Sequence, residues 1–122
     1  MTTATTTEYV TIDGLKLSVK IAGKGRPFLF LHGLCGDALQ PLELFPDDAG
    51  WQCHALESRG HGGSDIGDMK ELSIRRLTKD ATAYLESLDR GPAVIGGVSM
   101  GAAIALRLCA DQPELAAGLV LG

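Results

Sequence analysis

The sequence predicts an α/β fold built on a mostly parallel sheet with an antiparallel N-terminal strand. Short, continuously apolar segments recur along the chain, as expected of parallel strands that are covered on both faces. Between the later segments, apolar residues follow the 3.6-residue period of an amphipathic helix, so strands and helices alternate. The 16 glycines in 122 residues, about twice the usual share, indicate many tight turns.

The N-terminal end predicts a disordered tail and then a β-hairpin. Residues 1–7 are rich in threonine and are expected to be disordered, whereas residues 8–122 are expected to form one domain. Residues 9–12 and 15–21 alternate apolar and polar side chains on either side of Asp13-Gly14, a dipeptide typical of tight hairpin turns. We therefore expect two antiparallel strands here.

Four more strands are predicted from apolar segments bounded by glycine or proline. The first, residues 27–31, is apolar throughout, which indicates a strand with both faces covered and hence a parallel sheet. The others have the same character and are residues 51–56, 93–97 and 117–121. The sheet is therefore expected to contain six strands.

Two helices are predicted between the later strands. From Ile74 to Leu88, apolar residues recur on one face while most charged residues, Asp80 among them, lie elsewhere, which predicts an amphipathic helix. Residues 102–110 are almost wholly apolar, which predicts a second helix that is buried over much of its surface and ends before Pro113. The alternation of strands and helices implies right-handed crossovers.

The pentapeptide Gly97-Val98-Ser99-Met100-Gly101 matches the pattern G-x-S-x-G between a predicted strand and a predicted helix. In that context the serine stands on a sharp, strained turn, where side chains two residues away on either side would collide. The exposed hydroxyl of Ser99 is then open to a general base, and the N–H of Met100 can donate to a developing oxyanion. The alternative is a chance match in which Ser99 caps the helix.

The segment after the third strand predicts the other half of such a site. His32-Gly33-Leu34 lies where a second oxyanion donor is expected, and the backbone N–H of Leu34 is the candidate. We interpret His32 as a structural residue that pins this loop, because a catalytic base has to oppose the serine. Proton transfer is therefore not assigned to His32.

Three motifs in this order resemble the α/β-hydrolase family. They are His32-Gly33 after strand three, residues 58–64 (SRGHGGS) after strand four, and residues 97–101 after strand five. The middle motif resembles the family's D-x-R-G-x-G-x-S loop, which stabilises the top of the sheet, although Glu57 replaces the customary aspartate and is expected to alter one loop hydrogen bond. The resemblance covers residues 8–122 and identifies them as the N-terminal part of such a domain.

The resemblance implies acyl transfer to water on a small ester, thioester or lactone, with Ser99 attacking the carbonyl and the N–H groups of Leu34 and Met100 holding the oxyanion. In the family, the catalytic acid and histidine, two more strands and a lid follow strand six. The resemblance therefore predicts a hydrolase truncated after strand six, with an incomplete triad and little activity of its own. No metal or organic cofactor is implied. Cofactor-free peroxidases and acyltransferases share this N-terminal part of the fold, so either activity is an open alternative to hydrolysis.

Other titratable residues are weak candidates for the missing roles. His54 is expected to be a satisfied buried or edge histidine within strand four, and His61 is expected to be a loop residue. Asp37, Asp65 and Asp68 are expected to act in loops, turns and caps. We therefore predict no improvised triad.

Composition and charge argue against several other classes. The 11 basic and 15 acidic residues, with a formal net charge of -4, give no field that would attract nucleic acid or an anionic membrane. No apolar run approaches the ~20 residues that span a bilayer, and the N-terminus does not resemble a secretory signal. Cys35, Cys53 and Cys109 have neither metal-ligand spacing nor an even number, which favours a reducing cytoplasm.

Two readings from other classes stay open. A dinucleotide-binding module also joins a strand, a glycine-rich turn and a helix, but residues 96–101 do not fit G-x-G-x-x-G. A non-enzymatic fragment or pseudoenzyme that serves as a binding module is the more serious rival. In that reading an open, apolar sheet edge at strand six would invite self-association.

Overall fold

The computed structural model describes residues 5–33, 50–61, 63–68, 70 and 72–122. Within these residues, the chain forms six strands, two α-helices and one short 3₁₀ turn. The elements are β1 (Thr5–Ile12), β2 (Leu15–Gly23), β3 (Arg26–Leu31), β4 (Trp51–Leu56), α1 (Ile74–Leu88), β5 (Ala93–Gly97), α2 (Met100–Asp111), the 3₁₀ turn (Pro113–Leu115) and β6 (Ala116–Leu121). The strands and helices predicted from the sequence are all present.

The six strands form one sheet in the order β1-β2-β4-β3-β5-β6. Strands β4, β3, β5 and β6 pair in parallel, whereas β2 is antiparallel to both of its neighbours. The predicted fold class is confirmed, and the reversed strand is β2. The two-residue turn at Asp13-Gly14 sets this direction, because both residues have positive φ (49° and 79°), as type I′ hairpin turns require.

The N-terminal boundary differs from the prediction of a disordered tail over residues 1–7. Strand β1 begins at Thr5, and its first three residues pair with residues 20–22 of β2. Threonine is β-branched and favours extended backbone, and the Lys20 ammonium donates a 2.9 Å hydrogen bond to Thr7 Oγ1. Residues 5–7 therefore belong to the sheet, and residues 1–4 lie outside the described part of the chain.

The helix boundaries lie close to the predicted ones. Helix α1 spans the predicted residues, and Ser73 caps it by accepting a 3.1 Å hydrogen bond from the N–H of Arg76. Helix α2 begins two residues before the apolar segment, at Met100, because Gly101 interrupts the apolar pattern but not the helix. Both helices pack on one face of the sheet around fully buried leucine and isoleucine side chains such as Leu29, Ile95 and Ile104.

Candidate active site

The candidate site lies at the carboxyl ends of β3 and β5. These strands are neighbours, with Leu31 opposite Gly97, and the N–H of Val98 donates a 3.3 Å hydrogen bond to the Leu31 carbonyl. After β3 the chain goes to β4 on one side of it, and it returns through α1 to β5 on the other side. Such a switch point leaves a crevice at the carboxyl edge, which is where open α/β sheets bind ligands.

Ser99 is exposed at the junction of β5 and α2. Its backbone has φ 54° and ψ -118°, a conformation that costs a non-glycine residue about 1–3 kcal/mol and is concentrated at functional sites. Its side chain makes no helix-capping hydrogen bond, so the alternative of a helix-capping serine is wrong. The hydroxyl has no hydrogen-bond partner within the described residues and stands free at the carboxyl edge of the sheet.

Two glycines permit this turn, as the pattern predicted. A Cβ placed on Gly97 would lie 2.2 Å from the carbonyl oxygen of Gly101. A Cβ placed on Gly101 would lie 1.8 Å from the Leu31 carbonyl oxygen and 2.8 Å from that of His32. Because real Cβ atoms do not approach backbone so closely, the first turn of α2 can pack against the end of β3 only without side chains here.

The first turn of α2 leaves one amide free. The N–H groups of Gly101 and Ala102 donate to the carbonyls of Val98 and Ser99, at 2.9 and 3.0 Å. Within the described part of the chain, the N–H of Met100 has no acceptor, as expected for the first residue of a helix. Leu34, the second predicted donor, lies outside the described residues.

The loop after β3 lies against the serine turn. A Cβ placed on Gly33 would lie 3.4 Å from Ser99 Cβ and 3.6 Å from the Val98 carbonyl oxygen. The structure thus brings together the two segments that the sequence assigned to one site, although two strands and a helix lie between them in the described part of the chain alone.

His32 pins this loop, as the sequence predicted. It is buried, with 2% of its surface exposed, and the N–H of Ser58 donates a 3.0 Å hydrogen bond to its Nε2. Because Nε2 accepts, Nδ1 carries the proton in the neutral ring and donates to the Gly33 carbonyl at 2.7 Å. The ring therefore joins the loop after β3 to the loop after β4.

Glu57 and Ser64 hold the loop after β4 against β2. Glu57 is buried, and its Oε1 accepts a 3.2 Å hydrogen bond from the N–H of Gly63. The Ser64 hydroxyl donates to the Glu57 carbonyl at 2.6 Å and accepts from the N–H of Ser18 at 2.7 Å. The side chain of Glu57 thus retains a hydrogen bond within the loop.

Arg59 and Asp80 form a buried ion pair that sequence reasoning did not find. The guanidinium donates through Nε and a terminal nitrogen to the two carboxylate oxygens, at 2.8 and 2.9 Å. The prediction that Asp80 lies off the buried face of α1 is wrong, since 1% of its surface is exposed. The paired guanidinium of Arg59 compensates the carboxylate for its loss of water. Arg76 adds a second ion pair, with its Nε 3.3 Å from Asp80 Oδ1. The one signal in the sequence was an arginine within a recognised motif.

The other titratable residues that the structure describes do not form a triad with Ser99. His54 is buried in β4, where its Nδ1 lies 2.8 Å from the Tyr84 hydroxyl. Among the residues that the structure describes, its Nε2 has no hydrogen-bond partner, so the ring is only partly satisfied. Burial, aided by the charge of Arg90, lowers the pKa of His54 to about 4. Asp65 accepts from the N–H of Lys16, and His61 Nδ1 lies 3.1 Å from the Arg59 carbonyl.

Asp68 also has a local role, because its carboxylate accepts a 2.9 Å hydrogen bond from the N–H of Lys70, as in an Asx turn. Asp37 and Cys35 lie outside the described residues. Burial raises the pKa of the Cys53 thiol to about 12, which keeps it protonated at neutral pH.

The described residues contain no group of three His, Cys, Asp or Glu side chains that could hold a metal ion. Neither of their helices is both long and apolar enough to cross a membrane.

Comparison with known proteins agrees with this architecture. A family model described as the alpha/beta hydrolase fold matches residues 26–121. The chain belongs to the α/β-hydrolase fold family. This confirms the resemblance drawn from the three motifs, and the dinucleotide-binding alternative is wrong.

Two curated α/β-hydrolase relatives and one solved structure show how far the similarity extends. A Mycobacterium tuberculosis protein with the provisional name non-heme bromoperoxidase BpoC is 37% identical over 102 residues, which are 81% of this chain and 38% of the relative. The 2-(acetamidomethylene)succinate hydrolase of Mesorhizobium japonicum is 29% identical over 113 residues, which are 91% of this chain and 40% of the relative. The crystal structure of epoxide hydrolase VrEH1 from Vigna radiata superposes on this chain with a TM-score of 0.88 at 26% sequence identity. The superposed region is 96% of this chain and 39% of the epoxide hydrolase. The chain thus spans about two-fifths of the length of its α/β-hydrolase relatives.

Proposed function

We propose that this chain carries the nucleophile and the oxyanion donors of a serine hydrolase that acts on a small ester, thioester or lactone. The observation that carries the proposal is the backbone of Ser99, which is strained, exposed and free of any capping bond. A serine that only terminated a helix would gain nothing from that strain. The family assignment and the hydrolases among its relatives support the same reaction class.

In the proposed reaction, Ser99 Oγ forms a bond to the substrate carbonyl carbon, and the carbonyl π electrons move to the oxygen. The N–H groups of Met100 and Leu34 donate to that oxyanion, Met100 from the start of α2 and Leu34 from the loop after Gly33. The hydroxyl proton passes to a general base and then to the leaving group, which departs and leaves an acyl-serine. Water then attacks the acyl group and releases the acid.

The general base is the part that these residues do not supply. Both ring nitrogens of His32 are engaged in loop hydrogen bonds, and His54 is buried beneath α1 against Tyr84. His61 is also engaged within its own loop: its Nδ1 lies 3.1 Å from the Arg59 carbonyl, and its ring lies beside that of His32, with 4.9 Å between the ring centroids. We therefore propose that the acid and the histidine of the triad are missing, and that the chain by itself reacts slowly.

Labelling with a fluorophosphonate tests this proposal, because the reagent accepts a serine oxygen at phosphorus and loses fluoride. We expect slow, single-site labelling that is absent in Ser99→Ala and that added imidazole accelerates about tenfold, since a free base replaces part of what a positioned one gives. Ser73→Ala is the matched control, because Ser73 also precedes a helix but caps it. Equal labelling of wild type and Ser99→Ala would refute the nucleophile, and fast labelling without imidazole would refute the missing base.

Three other functions compete with hydrolysis. The relative with the bromoperoxidase name favours a cofactor-free peroxidase, and an acyltransferase would differ only in what attacks the acyl-serine. A non-enzymatic binding module is the third candidate, because none of the three histidines offers Ser99 a general base. Bromide-dependent oxidation with a peroxide supports the first, transfer of the acyl group to an alcohol supports the second, and no Ser99-dependent reaction at all supports the third.

A further inference from the structure

We propose that the groove between α1 and α2 is a docking site for an acidic segment of a partner protein. The groove has a volume of about 490 Å³ and is lined by one face of α1, from Arg75 to Glu86, and by the C-terminal half of α2. Ser99 precedes the other end of α2, so the groove and the candidate active site are separate places on the molecule. The inference therefore does not depend on the proposed function.

Three basic side chains line this groove. Arg75 and Lys79 of α1 are exposed, and within the described part of the chain their side chains form no ion pair. Arg107 of α2 lies 3.4 Å from Asp111, with both side chains about half exposed. An exposed pair of this kind contributes little, so Arg107 can exchange Asp111 for another carboxylate. Although the whole chain has a formal net charge of -4, this groove presents three cations to an incoming acidic group.

The positions of Arg75 and Lys79 are unfavourable for α1 itself. Arg75 lies in the first turn, which contains no acidic residue, so its charge meets the positive end of the helix dipole. Lys79 is four residues further on, where like charges on a helix repel each other. Arg76 is compensated by Asp13 and Asp80, whereas no described residue compensates Arg75 and Lys79. Charges that oppose the fold in this way are typical of binding sites.

The threonines that line the groove favour a peptide over an inorganic anion. The Thr78 hydroxyl donates its hydrogen to the Ile74 carbonyl at 2.7 Å, and the Thr82 hydroxyl donates to the Thr78 carbonyl at 2.9 Å. Since a hydroxyl has a single hydrogen, both threonines offer a ligand lone pairs and no donor. Phosphate and sulfate ions mainly accept hydrogen bonds, whereas a peptide brings backbone N–H donors together with its carboxylates.

The length and volume of the groove favour an extended segment. From Arg75 to Glu86 the axis of α1 advances about 16 Å, and a second helix of that length would occupy about 1,200 Å³, far more than the groove holds. An extended chain covers the same length with about five residues. We therefore expect the partner segment to bind as a strand-like peptide of five or six residues.

The charges differ along the groove and therefore orient the partner. Arg75 and Lys79 lie towards the N-terminal end of α1, whereas Glu86 and Asp111 lie in the last turns of their helices. Both helices run from the carboxyl edge of the sheet back to its amino edge, so these two carboxylates lie at the same end. Alternate residues of an extended segment face the same side about 6.6 Å apart, close to the rise of about 6 Å from Arg75 to Lys79. We expect two acidic residues separated by one residue, and a basic residue nearer Glu86 and Asp111.

Binding of two fluorescein-labelled hexapeptides, measured by fluorescence anisotropy, tests the proposal. The first is Glu-Ser-Glu-Ser-Ser-Lys, and the second carries glutamine in place of both glutamates. We expect the glutamate peptide to bind about fivefold more tightly or better at low salt, and to lose this advantage as sodium chloride is added. Arg75→Gln and Lys79→Gln should each weaken its binding roughly two- to fivefold, as the loss of one exposed ion pair does. Lys24→Gln is the matched control, since Lys24 is also exposed but lies just after β2, outside the groove.

The melting temperature gives a second readout that needs no peptide. Arg75→Glu is expected to raise it by about 2–5 °C, because a carboxylate suits the first turn of α1 and attracts Lys79. Lys24→Glu, which lies in no helix, should change it less. A lower melting temperature in Arg75→Glu would overturn the inference, because Arg75 would then serve the fold.

Tighter binding of the glutamate peptide that is reduced by Arg75→Gln and Lys79→Gln and kept by Lys24→Gln supports the proposal. Equal binding of the two peptides, no binding of either, or equal weakening in Lys24→Gln would overturn it. Displacement of the peptide by sodium phosphate, but not by sodium chloride of the same ionic strength, would also overturn it, since the groove would then be an anion site. None of these measurements uses Ser99, so their outcome is independent of whether a fluorophosphonate labels it.

Discussion

At the scale of single residues, the glycines beside Ser99 have different neighbours and therefore different reasons for lacking a side chain. Gly97 makes room for α2, whose carbonyl at Gly101 lies directly above it. Gly101 makes room for β3, against whose last carbonyl it packs. The turn is thus fixed from both sides, which is how a strained serine backbone persists in a marginally stable domain.

Gly101→Ala is expected to destabilise the fold by about 3 kcal/mol or more, because its Cβ would meet backbone oxygen atoms that cannot move aside. Gly118→Ala is the control, since its Cβ would find only the Val94 side chain at an ordinary 3.6 Å, and we expect a change below about 1 kcal/mol. Urea unfolding of both variants measures the difference. Equal stabilities would mean that the turn is not packed as described.

His54 is expected to make the fold sensitive to acid. Burial lowers its folded-state pKa from 6.5 to about 4, so between these values the unfolded chain binds more protons. The stability that depends on the neutral ring is therefore complete above pH 6.5 and is lost as the pH falls towards 4. Wild type should lose about 1–2 kcal/mol more than His54→Gln between pH 7 and 5 in urea titrations. Parallel pH dependence of the two proteins would contradict this.

At the scale of elements, the Arg59–Asp80 pair connects the loop after β4 to the middle of α1. Breaking a buried pair leaves one charge without a partner, so Asp80→Asn is expected to cost about 3–5 kcal/mol. Asp111→Asn is the control, because Asp111 is half exposed and pairs with Arg107 at 3.4 Å, a contact worth at most about 1 kcal/mol. Urea unfolding compares the two losses, and similar values would show that burial of the pair contributes little.

The elements themselves were predictable because their signals are local. The apolar run of β3, the periodicity of α1 and the Asp13-Gly14 turn each lie within a few residues, and the structure places all three as expected. The strand order followed only from the resemblance to the α/β-hydrolase family and not from local patterns, since the pairing of β3 with both β4 and β5 joins segments that are distant in the chain.

In the candidate site, too, the features with local signals were predictable and those that depend on distant residues were not. Ser99 and its glycines form one short pattern between a strand and a helix, which is why they could be located from the sequence. The ion pair of Arg59 with Asp80 could not be, because an aspartate on a helix ordinarily faces water and nothing local indicates its partner.

At the scale of the whole molecule, the two edges of the sheet differ in chemistry. Strand β1 at one edge is polar, with threonines and Glu8, whereas β6 at the other contains no charged residue and exposes Leu119, Val120 and Leu121. An apolar strand with unpaired backbone groups is a template for a further strand. We propose that isolated chains associate through β6.

Sedimentation velocity at rising protein concentration tests this proposal. We expect wild type to form dimers or larger species, and Val120→Lys to stay monomeric because a charge on an edge strand blocks pairing. Thr5→Lys places the same charge on the opposite edge and should associate as wild type does. A wild-type monomer at every concentration, with a cooperative melt, would refute the proposal.

The strand order also governs how this chain emerges from a ribosome. Translation delivers β4 soon after β3, but the strand for the other side of β3 follows only after α1 has been made. Until then, one edge of β3 has no strand paired with it, and only one side of the crevice at its carboxyl end has been formed. We therefore expect nascent chains that stop short of β5 to need protection by chaperones, because a half-built sheet exposes apolar surface.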